Sequence, residues 1–397
     1  MKKNEFNLEK YIELRHELHK IPEMAYREFK TKELLFSVFK TISGFSEYAK
    51  VVEIGDTGFY IDVWGTNSPD EKVNKQLISF RCDLDALPLE DKTGTLYKSI
   101  FENMAHACGH DGHMAILTCA LEFFLSNLSK LKSNFGVRFL YQPAEEGGKG
   151  AVQMIKGGCL EGVNSMYGLH NLTLFPVGTI GCVVGPIMGR SDVFDVEIVG
   201  KGGHGSAPDL CCNPILPGSM MISAISNIPA QEMPNKERCV ATVCKFQSGH
   251  TFNVIPDTAN ISGSVRTLKN EHAEKIISRI KDICEGISKV CCCNCNVKTS
   301  FLAFVVENDK KETEFIENII QKYFVLSKEN LPVMGSEDFA FYGEKVPSVF
   351  VMLGGGDETH KEYIHTSNYD FNDKSLGIGA EFFIRIIESK FDCKLMN

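Results

Sequence analysis

No stretch of this 397-residue chain is apolar for long enough to cross a bilayer, and its opening residues, Met1 to Phe6, lack the apolar segment of a secretory leader. Membrane insertion and export are set aside on that ground, and a cytoplasmic location is expected. Basic runs are missing too. Acidic residues outnumber basic ones, 51 to 42, and the formal net charge of −9 argues against a nucleic-acid surface. Neither a G-x-S-x-G elbow nor a P-loop occurs, so serine-hydrolase and nucleotide chemistry lack support. Gly200 to Gly205 formally fit G-x-G-x-x-G, but Ser206-Ala207-Pro208 is a poor opening for a dinucleotide helix and no βαβ unit is complete there. Repeats and low-complexity linkers are absent. The length and a hydrophobic share of 43% imply two or three domains with ample core material.

Cysteine, in contrast, is plentiful. The 15 cysteines, an odd count without a leader, are read as reduced thiols. Cys291-Cys292-Cys293-Asn294-Cys295 is read as a helix end and strand start, since adjacent cysteines rarely converge on one ion and no matching His/Cys pair lies nearby. Cys211-Cys212 is treated alike.

One stretch stands apart. His106-Ala107-Cys108-Gly109-His110-Asp111-Gly112-His113 packs three imidazoles, a thiol and a carboxylate into eight residues, a density of donors rare outside metal sites. Its glycines permit a tight turn that lets Cys108 and His110 face one point. An apolar run follows from Met114, read as a helix ending near Ser129. His16-Glu17-Leu18-His19 is one residue short of H-E-x-x-H and is read as a surface helix.

Periodicity predicts an α/β chain. Helices are expected over Leu8–His19 and Arg27–Ile42, and strands over Val51–Ile54, Phe59–Trp64, Gln76–Arg81, Val137–Tyr141 and Met166–Leu169. These strands run into Asp83 and Asp85, Glu145 and Glu146, and His170. In open α/β sheets, sites collect beyond the carboxyl ends of the strands. From about Asp192 the order becomes β-α-β-β-α-β, the split βαβ arrangement. The helices there are Pro214–Ile228 and Glu271–Val290. Residues 190–301 are therefore expected to form a domain inserted into a first one made of 1–189 and 302–397. The chain then closes with a helix at Thr313–Phe324, a buried strand at Ser348–Leu353 and a helix at Lys374–Lys390.

Glu145 and Glu146 sit at a bend after a strand, where adjacent carboxylates can share a site and divide roles. One ligates a metal and the other takes a proton from water that the metal acidifies. His170 and His365 are further candidate ligands, although either alone reads equally well as a core or surface histidine. With Cys108, His110 and Glu146 they make five protein donors. One zinc ion takes about four donors, so five donors and a shared water suit two divalent ions better than one. Thiolate plus imidazole favours zinc, with manganese, cobalt or nickel as substitutes. Asp85 or Asp83 could orient a ligating histidine from behind.

Taken in order, several motifs resemble one family. They are Arg81-Cys82-Asp83-Leu84-Asp85-Ala86-Leu87-Pro88, His106 to His113, Gln142 to Gly147, Gly168-Leu169-His170-Asn171, Gly202 to Pro208, Asn253-Val254-Ile255-Pro256 and Gly335 to Phe339. Together they are similar to the M20 metallopeptidases of the amidohydrolase branch, which holds hippurate hydrolases, N-acyl-amino-acid and N-acetyldiaminopimelate deacylases and auxin-conjugate hydrolases. The resemblance spans nearly the whole chain. It implies a two-metal catalytic domain with an inserted ferredoxin-like lid that commonly dimerises. It also implies Cys108, His110, Glu146, His170 and His365 as ligands, Glu145 as general base and Asp85 as supporting acid. His204 would come from the lid and steady the oxyanion in a partner subunit's site. Asn253 and Arg266 would lie near the substrate carboxylate. Three positions depart from the branch: Cys82 stands for alanine, Ala105 for methionine, and Lys149 for a glycine at the pocket rim. The activity implied is hydrolysis of the amide of an N-acyl amino acid, hippurate-like first, with an N-acetyl-amino-acid deacetylase as the alternative. A catalytically silent metal-binding or dimeric interaction protein is the rival from another class. Such a protein could dispense with Glu145, which is present here.

Overall fold

A computed structural model describes residues 6–69 and 74–396; residues 1–5, on which the absence of a leader was read, lie outside them. The chain divides into two compact units. The first holds the residues up to Ile187, Glu307–Leu331 and those from Asp338 onward, and the second holds Met188–Val306 and Pro332–Glu337. Among the described residues no helix is long and apolar enough to cross a membrane.

The first unit is built on an eight-stranded mixed sheet. Its order is Ala49–Ile54, Gly58–Trp64, Phe135–Gln142, Gln76–Asp83, Ser165–Pro176, Ser348–Gly356, Thr179–Gly181 and Val325–Ser327. The central strands Phe135–Gln142, Gln76–Asp83, Ser165–Pro176 and Ser348–Gly356 pair in parallel. Every residue of Phe135–Gln142 is buried, as expected of a strand covered on both faces. Helix His110–Leu125 buries fourteen of its sixteen residues, which is why its sequence shows no polar face. It packs with the helix Lys374–Phe391 in a core that includes Phe80, Phe139, Phe383 and Ile116. Asp309 caps the helix Lys310–Tyr323 by accepting from the Glu312 amide at 2.9 Å. The strand expected to stop before His170 continues to Pro176, so His170 lies within the sheet rather than after it.

In the second unit a four-stranded antiparallel sheet runs Cys239–Ser248, Thr258–Thr267, Arg190–Val199, Asn294–Ala303. With helices Ile215–Glu232 and Asn270–Val290, this is the ferredoxin-like β-α-β-β-α-β order. Along Arg190–Val199, Phe194, Val196 and Ile198 face the core while Asp195 and Glu197 face out. Ala273, Ile276, Ile280 and Cys284 form the buried stripe of the second helix. The first helix passes beyond its expected stop at Ile228 to Glu232, although Pro229 cannot donate to the Ile225 carbonyl.

Helix Leu8–Lys20 lies at the surface as expected, with Glu9, Glu13 and Glu17 exposed, but its other face is covered. Tyr11, Leu14, Arg15, Leu18 and His19 are all buried. His16 and His19 do not form a metal pair. His16 Nε2 lies 2.9 Å from Asp373, and His19 Nδ1 lies 2.8 Å from Asp111. Burial alone would lower the His19 pKa, but the Asp111 carboxylate outweighs it and raises the value to about 9. Since the ordinary value of 6.5 lies below the folded one, this pair stabilises the fold fully below pH 6.5 and loses its effect as pH rises through 9. Unfolding free energy followed by denaturant titration should therefore fall across that window, and His19→Asn should flatten the fall; an unchanged slope in the variant would assign the loss to other groups.

Candidate metal centre

The donors of the dense motif are aimed by backbone geometry. Gly109 sits at φ +84°, and a Cβ there would stand 2.2 Å from Asn171 Oδ1 and 2.7 Å from the Tyr369 hydroxyl, so only glycine fits this turn. Helix His110–Leu125 starts immediately after it. Three strands of the parallel sheet bring the remaining parts: Gln76–Asp83 leads into Asp85, Phe135–Gln142 into Glu145 and Glu146, and Ser165–Pro176 carries His170. His365 comes from a loop at φ +65°, held by its amide on the Ala107 carbonyl at 2.7 Å.

Cys108, His110, Glu146, His170 and His365 converge. Cys108 Sγ lies 3.2 Å from His170 Nε2 and 3.3 Å from His365 Nε2, and His365 Nε2 lies 3.1 Å from Glu146 Oε1. Among the groups of ligand atoms within 4.8 Å of one another are Cys108-His110-His170 and Cys108-Glu146-His365, with Cys108 common to both. His110 Nδ1 donates to the Asp85 carbonyl at 2.8 Å and His170 Nδ1 donates to the Asn171 carbonyl at 2.8 Å. A carbonyl can only accept, so each Nδ1 carries hydrogen and each Nε2 is left to face the cluster. His110 Nε2 is buried without a hydrogen-bond partner among the described residues. Buried soft and borderline donors with one nitrogen left over are a chemical fit to divalent ions.

The charges agree with that fit. Burial by itself would lower the His110 pKa, but Asp83 and Asp85 raise it to about 10, the mark of a carboxylate-rich surrounding that favours a cation beside this ring. Burial would raise the Asp83 pKa, yet His110, His113 and Arg81 hold it well below the usual carboxylate range. His170 is pushed down by burial and by His113, and stays neutral. Burial, with Glu146 and Glu145, pushes the Cys108 thiol well up. A cation bound at this site would oppose that last shift by favouring the thiolate.

Asp85 supports the site by two routes. Its carbonyl orients His110, and its carboxylate accepts from the consecutive amides of Glu145 and Glu146, each at 2.9 Å. The Glu145 carboxylate lies within 4.8 Å of the ligand atoms of His110 and Glu146 and accepts from the Asp338 amide at 3.4 Å. Ala144, just before the pair, holds φ +53°, backbone strain of the kind stored at functional sites.

Sequence reasoning passed over the frame behind these residues. Arg81 donates to Asp83 at 2.7 Å and to Asp338 at 3.0 Å, and Gln142 Nε2 donates to Asp338 at 2.8 Å. His113 Nδ1 donates to Asp83 at 2.7 Å, while Asn171 N donates to His113 Nε2 at 3.1 Å. All of these residues lie inside the quoted motifs, and that clustering was the available signal. His204, Asn253 and Arg266 belong to the second unit. The strand Gly203–His204 pairs with Val254–Ile255, with His204 opposite Val254, and His204 and Asn253 are both exposed. His204 Nδ1 is held by Ser206, at 2.7 Å from the hydroxyl, and Arg266 donates to the Ser336 hydroxyl at 2.7 Å.

Thiol, imidazole and carboxylate donors gathered at the carboxyl edge of a parallel sheet, with one carboxylate to spare, define a metal-dependent hydrolase. The chain belongs to peptidase family M20/M25/M40, whose profile matches residues 79–389. It is 33% identical to a hippurate hydrolase of Campylobacter jejuni subsp. jejuni serotype O:2, covering 95% of each chain. To an N-acetyl-L-cysteine deacetylase of Bacillus subtilis it is 34% identical, over 97% of this chain and 90% of the relative. Among solved structures, the YXEP protein of Bacillus subtilis, a dinuclear metal binding peptidase of the M20 family, superposes with a TM-score of 0.81 at 26% identity. That match covers 98% of this chain and 99% of the other.

Because Cys108 serves both donor groups, Cys108→Ala should strip bound divalent metal far more completely than His170→Ala or His365→Ala, each of which leaves one group intact. Elemental analysis after dialysis measures this. Equal losses in all three variants would show that the two groups do not act separately.

Proposed function

We propose that this hydrolase cleaves the amide of N-acyl amino acids, releasing a carboxylic acid and a free amino acid. The observation that carries the reading is the pair of donor groups sharing Cys108, with the Glu145 carboxylate beside them. Cys108, His110, Glu146, His170 and His365 would hold two divalent ions, zinc by donor type, with manganese, cobalt or nickel able to replace it. When bound, such ions polarise the amide carbonyl and make water more acidic. Glu145 takes the proton that the attacking water loses and returns it to the amide nitrogen as the bond to the acyl carbon breaks. The Asp338 amide and the Asp85 carboxylate keep Glu145 in position.

The second unit, with 190–301 as its bulk, acts as lid and dimerisation domain, and 1–189 with 302–397 form the catalytic domain. His204 donates to the oxyanion in the partner subunit's site, and Asn253 and Arg266 receive the substrate carboxylate. A hippurate-like aromatic acyl group is the first choice, supported by the Campylobacter relative. A small acyl group is the second, supported by the Bacillus deacetylase. Release assays across N-benzoyl, N-acetyl and indolyl amino acids separate the two. A cytoplasmic setting fits the 15 cysteines, none of which is in a disulfide.

Glu145→Gln should keep metal and fold yet lose about 100- to 10,000-fold in turnover, since the amide cannot accept the water proton. More than roughly a tenth of wild-type turnover with unchanged metal content would remove Glu145 from the role of base. His204→Ala should lose on the order of 100- to 1,000-fold with metal retained, as for other oxyanion donors. Mixing Glu145→Gln with His204→Ala subunits restores one intact site per heterodimer, so activity should partly return once subunits exchange. Verified heterodimers without recovered activity would confine His204 to its own chain or to no catalytic role.

A further inference from the structure

The second unit gathers sulfur that the hydrolysis above does not use. Helix Asn270–Val290 ends in a turn of three consecutive cysteines. Cys292 holds φ +54°, the left-handed position that glycine usually fills at a helix end. Its amide donates to the Lys289 carbonyl at 3.4 Å, and the Cys293 amide donates to the Ser288 carbonyl at 3.0 Å, completing the Schellman pattern. The turn folds Cys293 back so that it packs, half-buried, against the hydrophobic core of the unit. The expected helix end and strand start are both found here.

Cys212 reaches the same turn from a different element. Its thiol donates to the Cys292 carbonyl at 3.1 Å and lies 3.5 Å from the Cys291 carbonyl. The Cys292 carbonyl and the Cys293 nitrogen belong to one peptide unit, so Cys212 Sγ stands beside the backbone of Cys293. Burial pushes the Cys293 thiol up, and the neighbouring Cys212 adds to that shift. No three Cys, His, Asp or Glu ligand atoms gather at this turn among the described residues, so the cluster suits a two-sulfur reaction rather than an ion. Cys212 is partly exposed, within reach of a small reagent.

We propose that Cys212 and Cys293 form a reversible disulfide. Cys212, as thiolate, attacks a small disulfide such as oxidised glutathione, forming a mixed disulfide and releasing one glutathione thiol. Cys293 then attacks the Cys212 sulfur, the new S–S bond closes and a second glutathione thiol leaves. Two protein thiols lose two electrons and two protons, and the small disulfide gains them. The bridge acts on a defined segment. Cys212 N–H and C=O pair with the Lys201 backbone at 2.8 and 2.9 Å, closing the base of residues 201–212, which carry His204. The bridge ties that base to the end of helix Asn270–Val290. Its formation is independent of the role proposed for His204; any consequence for turnover rests on that role.

The test treats the full-length, fully reduced protein with oxidised glutathione, quenches with an alkylating reagent and maps peptides by mass spectrometry. Cys212 and Cys293 should be recovered linked in most molecules and released by dithiothreitol, while the exposed Cys244 carries glutathione instead. Amide exchange across 201–212 should slow on the order of tenfold on oxidation. That slowing should be absent from Cys212→Ser and from Cys293→Ser and retained in Cys244→Ser. Recovery of Cys212 as a free thiol, as a lasting glutathione adduct or joined to any other cysteine would overturn the proposal, as would unchanged exchange at 201–212 in the bridged protein. A failure of the His204→Ala test leaves the mapped bridge untouched, so the two claims fail separately.

Discussion

One buried carboxylate sets the geometry on which the rest of the centre depends. Asp85 accepts from the amides of Glu145 and Glu146 at once, each at 2.9 Å, while its own carbonyl fixes the ring of His110. Two strands of the sheet and the start of a helix are thereby locked together at the point where the donors meet. Charge-assisted bonds to main-chain amides are strong, and inside a protein an unmet partner is costly. The strain at Ala144 persists because this clamp, together with the bond from the Ala144 amide to Glu28 at 2.9 Å, over-determines the bend.

A second frame lies behind the first. Arg81, Gln142 and Asp338 are buried and joined to one another, and Asp338 turns its amide toward Glu145. Arg81 and Asp83 come from one strand and Asp338 from a segment more than 200 residues later in the chain. The position of a single carboxylate thus integrates distant parts of the sequence. This is why a polar network of such size sits in the interior of the first unit rather than an apolar plug: each of its members holds another that faces the cluster.

Much of this was legible beforehand, and the reasons differ by element. The ferredoxin-like unit was readable because its strands alternate and its helices carry clean stripes, as in Ala273-Ile276-Ile280-Cys284. The donor set was readable because its residue types are rare in such density. What escaped were features that only tertiary contact decides. His19 looked like a surface histidine because nothing local announces that Asp111, 92 residues away, will be its partner. The supporting roles of Asp338 and His113 were hidden for the same reason: motif membership marks a residue as important without saying what it touches. The continuation of the His170 strand to Pro176 was invisible because its pairing partner, Ser348–Gly356, lies on the far side of the inserted unit.

That last pairing has a bearing on how the chain is made. Ser348 pairs with Met166 and Met352 with His170, so a central strand of the first sheet is flanked by a neighbour that the ribosome delivers only after the whole inserted unit. The inserted unit has nearly all of its residues in one run and completes its own four-stranded sheet within that run. It can acquire its structure while the surrounding sheet still has an open edge at Ser165–Pro176. Non-local closure of this kind is slow, and an unpaired apolar edge invites association with other chains in the interval. His365, synthesised later still, arrives last, so the Cys108-Glu146-His365 group cannot be complete until the host sheet is within reach of completion.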